Sequence, residues 1–218
     1  MVFVQGCPWR CSYCHNPHLQ ARKPATGLPW AEVLGWLGQR VGLLDAVVFS
    51  GGEPTIDPPL PQAMSDVRRL GFKVRLHTAG IFPQRLQGLL SRVDWVGLDI
   101  KAPMAAQSGS TDRHTLITSV RDSAEPVRRS LAALVRHSQA HGLSFECRTT
   151  AHPALLDMAD QLTLADELAA TGVRHWVLQV FRTRGSRATL PAVGGDYPAA
   201  ETLAQLKLRL PDMSVRRG

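Results

Sequence analysis

Six short stretches of the chain are dense in β-branched, aromatic and aliphatic residues: Val2–Gln5, Ala46–Ser50, Phe72–Thr78, Trp95–Ile100, Ser144–Thr150 and His175–Phe181. Several are almost unbroken apolar runs, the pattern of a strand covered on both faces. Between them, apolar residues return at helical spacing. Helices are predicted at Pro29–Arg40, Leu60–Leu70, Arg85–Arg92, Glu125–His141, Leu155–Ala170 and Ala199–Leu210. Pro29 and Pro126 suit first turns, Gly71, Gly142 and Gly172 suit helix exits, and Pro211 stops the last helix. Strand followed by helix, six times over, predicts an α/β fold with a parallel sheet. Two closures satisfy the pattern: an open doubly wound sheet, or a partial barrel of six βα units. Both place chemistry at the carboxyl ends of the strands. The polar, Ser/Thr-rich segment Ala102–Asp122 reads as a long loop over that end. No break in composition divides the 218 residues, so residues 1–218 are expected to form one domain.

Hydrophobic residues make up 44% and charged residues 20%, which suits a globular chain and not a disordered one. No uncharged apolar run approaches the roughly 18 residues of a membrane span. The opening MVFVQGCPWR lacks the basic start and apolar stretch of a secretory signal. The formal charge of +7 favours acidic partners. No Lys/Arg run carries the interleaved aromatics of a stacking groove, so nucleic acid is not an expected partner.

The cysteines narrow the chemistry. Three of the four, Cys7, Cys11 and Cys14, fall in the loop CPWRCSYC directly after the first predicted strand. Clustered thiols point to a soft metal or an iron–sulfur cluster in a reducing, cytoplasmic setting. Three thiolates hold three corners of a [4Fe–4S] cluster and leave one iron open. A zinc ion is the alternative, with His15 or His18 as the fourth ligand. Cys147 sits mid-strand and reads as a small buried hydrophobe. At the end of the second strand lies SGGEP, Ser50–Pro54. Its glycines admit a close backbone approach, and Glu53 offers a carboxylate to an ammonium.

CxxxCxxC with Tyr13 before the third cysteine, followed by GGEP, resembles the radical S-adenosylmethionine (SAM) superfamily. The resemblance covers nearly the whole chain and implies a partial (β/α)₆ barrel of TIM-like type. It also implies a [4Fe–4S] cluster whose open iron chelates SAM, and reductive cleavage of SAM to a 5′-deoxyadenosyl radical that abstracts a substrate hydrogen. CSYCHNP, VVFSGGEPT, LHTAG and DWVGLDIKAP are similar to the branch that activates glycyl radical enzymes. FKVRLHTAG, GLDIKAP, ECRTTAHP and VLQVFR most resemble the activating protein of anaerobic ribonucleoside-triphosphate reductase, with pyruvate formate-lyase the next candidate partner.

The resemblance implies roles by position. Cys7, Cys11 and Cys14 hold the cluster. Tyr13 lies near the adenine, and Asn16 and Thr78 are polar SAM contacts. Gly51, Gly52 and Glu53 face the methionyl ammonium. Asp99 suits ribose hydroxyls, Lys101 suits the SAM carboxylate, and Arg148 points into the barrel. His152 and Arg182 are weaker candidates, His15 reads as a loop-capping residue, and Arg182, Arg184, Arg187, Arg216 and Arg217 are candidate partner contacts. Members of this branch usually carry some residues before the cysteine loop that are missing ahead of Cys7. No second cysteine cluster follows, so no auxiliary cluster is expected and the electron comes from outside, from a flavodoxin or ferredoxin. The competing classes are a radical SAM enzyme acting on a small molecule or RNA, and a non-catalytic metal or electron-transfer module.

Overall fold

The structure is a computed structural model that describes residues 1–22, 27–105, 112–186 and 188–217. Seven strands form one sheet: β1 (Val2–Val4), β2 (Ala46–Gly51), β3 (Lys73–Thr78), β4 (Trp95–Asp99), β5 (Ser144–Ala151), β6 (Trp176–Val180) and β7 (Ser214–Arg216). They lie in sequence order and every pairing is parallel. Helices α1 (Trp30–Gly38), α2 (Leu60–Arg69), α3 (Pro83–Leu89), α5 (Ala124–His141), α6 (Met158–Ala170) and α7 (Ala200–Arg209) occupy the predicted crossovers. The short helix α4 (Arg113–Thr118) precedes α5.

Three features differ from the sequence expectation. The strand β7, only three residues long, pairs with β6 and extends the six predicted units. The helix α4 lies within the segment expected to be loop. Asp112 starts it by accepting a hydrogen bond from the His114 amide at 2.9 Å, and Ser119, at φ +60°, ends it. The start of α6 is also later than Leu155, because Asp157 and Asp160 form a reciprocal capping box there.

The strands are not covered by apolar residues on both faces. Val47, Phe49, Val74, Leu76, Val96, Leu98, Cys147 and Leu178 point outward and are buried against α2, α3, α5 and α6. The alternate positions point inward. Phe3, Ser50, His77, Asp99, Arg148, Gln179 and Arg216, one from each strand, line a single cavity. A flat sheet cannot bring seven strands around one space, so the sheet curls into a partial barrel with a polar concave face. Unbroken apolar runs hid that face, because glycine and tryptophan fill inner positions. In WVGLDI the inner set is Trp95, Gly97 and Asp99.

Candidate functional site

The cysteine loop leaves β1 through Gly6, at φ +104°, and is clamped by backbone. The Cys7 amide donates to Gln20 O at 3.0 Å and the Gly6 amide to Leu19 O at 2.8 Å. On the other side, the Arg10 and Ser12 amides donate to Thr118 O (2.9 Å) and Ile117 O (3.0 Å) at the end of α4. Trp9 and Tyr13 are buried anchors; Trp9 packs edge-on against His114 at 5.5 Å. Pinning these rings turns Cys7, Cys11 and Cys14 into the cavity, each partly exposed. Burial pushes the free Cys7 thiol up to about 12 and raises Cys11 as well, so a metal must displace protons to bind.

The glycines of SGGEP make a close approach, but to the chain itself. A Cβ on Gly51, which has φ +118°, would lie 2.4 Å from Val4 O, and one on Gly52 would lie 2.3 Å from Gly6 O. The Gly52 and Glu53 amides donate to Val4 O (2.9 Å) and Gly6 O (2.8 Å). The pair of glycines therefore seats the cysteine loop on the end of β2. Glu53 departs from expectation. Its carboxylate is fully buried and does not line the cavity. Instead it accepts from Thr78 Oγ1 (2.6 Å), Thr55 Oγ1 (2.5 Å) and the amides of Ala79 (2.8 Å) and Thr55 (3.1 Å). Burial raises its pKa despite these four donors.

Across the barrel, Asp99 stands between two cations. Arg148 donates to Asp99 Oδ1 through Nε at 2.9 Å and Nη2 at 2.8 Å, and Lys101 Nζ lies 3.2 Å from Oδ2. Burial disfavours the charged carboxylate, but Arg148 and Lys101 outweigh it and hold Asp99 down at about 2. Burial also opposes the Lys101 charge, yet Asp99 keeps that ammonium above its ordinary value. Two cations around one anion leave a net positive wall facing the cysteines. Lys101 Nζ also sits 5.7 Å from the Tyr13 ring centroid. Gly97 makes this wall possible: a Cβ there would meet the Arg148 guanidinium at 2.8 Å.

Of the residues singled out in the sequence, Cys7, Cys11, Cys14, Tyr13, Asn16, Gly51, Gly52, Thr78, Asp99, Lys101 and Arg148 share one cavity of about 450 Å³. His15, Arg182, Arg184 and Arg216 line it too. Glu53, His18, His152 and Cys147 do not. The ring of His152 is spent on Pro191 O and the Ala154 amide. Arg217 donates to Tyr197 O, and Arg187 lies outside the described residues. Sequence reasoning missed His77, Ser50, Thr150 and Gln179, which fill the inner face. Strand alternation marks two of them: Thr150 is two residues beyond Arg148, and His77 pairs in register with Gly97. Burial and the nearby Arg148 lower His77 to about 4, so it is neutral near pH 7. A larger cavity of about 1010 Å³ opens at the opposite rim, by Ser144 and Ser214, and holds none of the clustered thiols.

The donor set fits a cluster, whose thiolates bind different irons and so stand apart around one space. His15 Nε2 is engaged with Arg182 O at 2.9 Å, and His18 is exposed. Cys147 is fully buried on the outer face of β5. Three thiols around one cavity, beside a cationic wall, fit a cluster with one iron free for a small ligand.

Comparison with known proteins agrees. Residues 1–144 match the family described as the radical SAM superfamily. The chain belongs to the radical SAM superfamily. Members of that superfamily use a [4Fe–4S] cluster and SAM. A Methanocaldococcus jannaschii protein named as a glycyl-radical enzyme activating enzyme is 26% identical over 166 residues, 73% of this chain and 64% of that protein. A Streptomyces rochei protein named PqqA peptide cyclase is 37% identical over 109 residues, 47% of this chain and 29% of that protein. Streptococcus suis SuiB, solved with precursor peptide SuiA, superposes with a TM-score of 0.72 at 13% identity, over 98% of this chain and 47% of that one. At that identity the superposition speaks for the fold alone. The chain thus spans less than two thirds of each of these proteins. Among the described residues, no helix is long and apolar enough to cross a membrane.

Proposed function

We propose that this chain is a cytoplasmic radical SAM activase that installs a glycyl radical on a partner enzyme, most similar in kind to anaerobic ribonucleoside-triphosphate reductase. The observation that carries this reading is the convergence of Cys7, Cys11 and Cys14 with the Lys101–Asp99–Arg148 wall in one cavity. When bound, the cluster and SAM together supply a carbon radical able to take hydrogen from an unactivated C–H bond. The protein's own residues bind, orient and shield. Lys101 and Arg148 would meet the SAM carboxylate, and the exposed part of Asp99 would accept from ribose hydroxyls. Asn16, Ser50, Thr150 and Gln179, on the same cavity, would offer further hydrogen bonds to the nucleoside, and Tyr13 would pack near the adenine. Glu53 is a positioning residue: through Thr78 and the Ala79 amide it ties the end of β3 to the glycine turn.

A glycine suits such a reaction, because both flanking amides stabilise its Cα radical and no side chain blocks access. The relative named as a glycyl-radical enzyme activating enzyme, aligned over 73% of this chain, supports a glycyl radical partner. The resemblance of FKVRLHTAG, GLDIKAP, ECRTTAHP and VLQVFR favours the reductase over pyruvate formate-lyase as that partner. The electron comes from an external flavodoxin or ferredoxin, whose acidic surface suits the +7 chain. The cyclase match supports a second reading, modification of a peptide substrate.

Anaerobic incubation of the reconstituted, reduced protein with SAM and candidate partners decides between them. A glycyl radical doublet in the partner's electron paramagnetic resonance (EPR) spectrum, with 5′-deoxyadenosine released, is the expected result. Turnover of a peptide without that doublet supports the second reading. No 5′-deoxyadenosine from a fully loaded cluster with any partner counts against both. Replacing Cys7, Cys11 or Cys14 with Ala is expected to abolish the brown cluster absorbance, and Cys147→Ala to preserve it. Equal iron loss in all four variants contradicts the ligand set.

A further inference from the structure

Arg10 lies inside the cysteine loop, between two of the proposed ligands. Its backbone is fixed on both sides: the amide donates to Thr118 O, and its carbonyl accepts from Ser119 Oγ at 3.3 Å. Its guanidinium folds back over the loop. Nη1 donates to Cys7 O at 2.5 Å and to Trp9 O at 3.0 Å. Other charges line the same cavity: Arg182 and Arg184 face it, and the Lys101–Asp99–Arg148 wall is net positive. Lys101 and Arg148 are paired with Asp99, and Glu53 is enclosed by hydroxyls and amides. Among the described residues Arg10 has no carboxylate partner. It is an uncompensated cation held against the backbone of a ligand cysteine, on the exposed side of the loop.

We propose that Arg10 is a positioning residue for the cluster site, whose fixed positive charge makes the cluster easier to reduce by an external one-electron donor. Reduction adds one negative charge to the cluster, so a cation held at constant distance stabilises the reduced state more than the oxidised one. Cluster potentials respond to local net charge, hydrogen bonding and solvent exposure. Arg suits the task because one guanidinium nitrogen, Nη1, reaches both carbonyl oxygens and fixes the charge over the loop. The inference rests on the assignment of Cys7, Cys11 and Cys14 as cluster ligands.

The test is an EPR-monitored redox titration of the reconstituted full chain and its R10Q and R10K variants, with iron and sulfide counted per chain. Gln retains a hydrogen-bond donor but no charge; Lys retains the charge. R10Q is expected to hold a full cluster at a more negative midpoint, and R10K to lie close to the unmodified protein. The gap between R10Q and the unmodified protein should shrink near 1 M salt, where the screening length falls to about 3 Å. A fully loaded R10Q with an unchanged midpoint overturns the inference. So does a gap of the same size in R10K, which makes the guanidinium's geometry and not its charge responsible. If R10Q fails to load while R10K loads, Arg10 has a structural role only, and the inference also falls. If the unmodified protein itself binds no cluster, the ligand assignment has failed, a different result from any of these.

Discussion

Asp99→Asn should destabilise the protein by about 3 kcal/mol, more than any other single change in the cationic wall. Among the described residues Asp99 is the sole carboxylate paired with Lys101 and Arg148, whose side chains are only 12% and 7% exposed. Asparagine keeps an oxygen for one hydrogen bond but leaves two nearly buried cations facing each other. Breaking a buried ion pair by removing one partner costs about 3–5 kcal/mol, and the 32% exposure of Asp99 places this case at the low end. A double-mutant cycle with Arg148→Met isolates the coupling: the second change should recover part of the loss, because it removes one stranded charge. Urea unfolding of the four proteins reads it. Additive losses would show that the wall is not electrostatically coupled.

The same carboxylate sets an acid limb. Its folded pKa, about 2, lies below the ordinary value near 3.8, so its stabilisation is complete above about pH 4. It fades as pH falls from there toward 2. The contribution is about 2 kcal/mol once partial exposure is allowed for. In Asp99→Asn this part of the acid limb should vanish, and the difference from the unmodified protein should narrow between pH 4 and 2. A constant difference across that window would place the depressed pKa elsewhere.

Most of the barrel was legible because its outer face is written in long apolar runs. The six predicted strands all form, and their helices fall within a few residues of expectation. The strand β7 was not legible, since Ser214–Arg216 carries one apolar residue and gains its place only by hydrogen bonding to β6. The helix α4 was hidden in a Ser/Thr-rich segment, although Asp112 is a suitable cap; it persists because its last carbonyls hold the cysteine loop. The site residues named by motif mostly converge, and Glu53 shows the limit of motif reading. A carboxylate beside two glycines looks available for an ammonium, but Thr55, two residues on, and Thr78, on the next strand, take it first. His77 escaped notice because a histidine in a strand is unremarkable until register sets it beside Gly97 and near Arg148.

The glycine turn yields the second large prediction. Gly52→Ala should empty the cluster site almost as completely as loss of a cysteine, though residue 52 supplies no ligand. The added Cβ would sit 2.3 Å from Gly6 O, 2.8 Å from Gly6 C and 3.0 Å from Leu19 O, all backbone atoms that no rotamer change can move. Ordinary contact needs the loop to retreat by about 1 Å. That retreat breaks the Glu53 amide bond to Gly6 O and strains the Cys7 amide bond to Gln20 O, so Cys7 shifts relative to Cys11 and Cys14. The expected cost in stability is about 3 kcal/mol, the upper end for an overpacked site. The fold should survive, because the outer core of Val47, Phe49, Val74 and Leu76 is untouched. The measurement pairs iron content after reconstitution with thermal unfolding of the cluster-free protein. Low iron in a folded variant is the expected outcome. A full iron complement would show that the cysteine loop tolerates displacement, and that the glycines serve the bound ligand and not the loop.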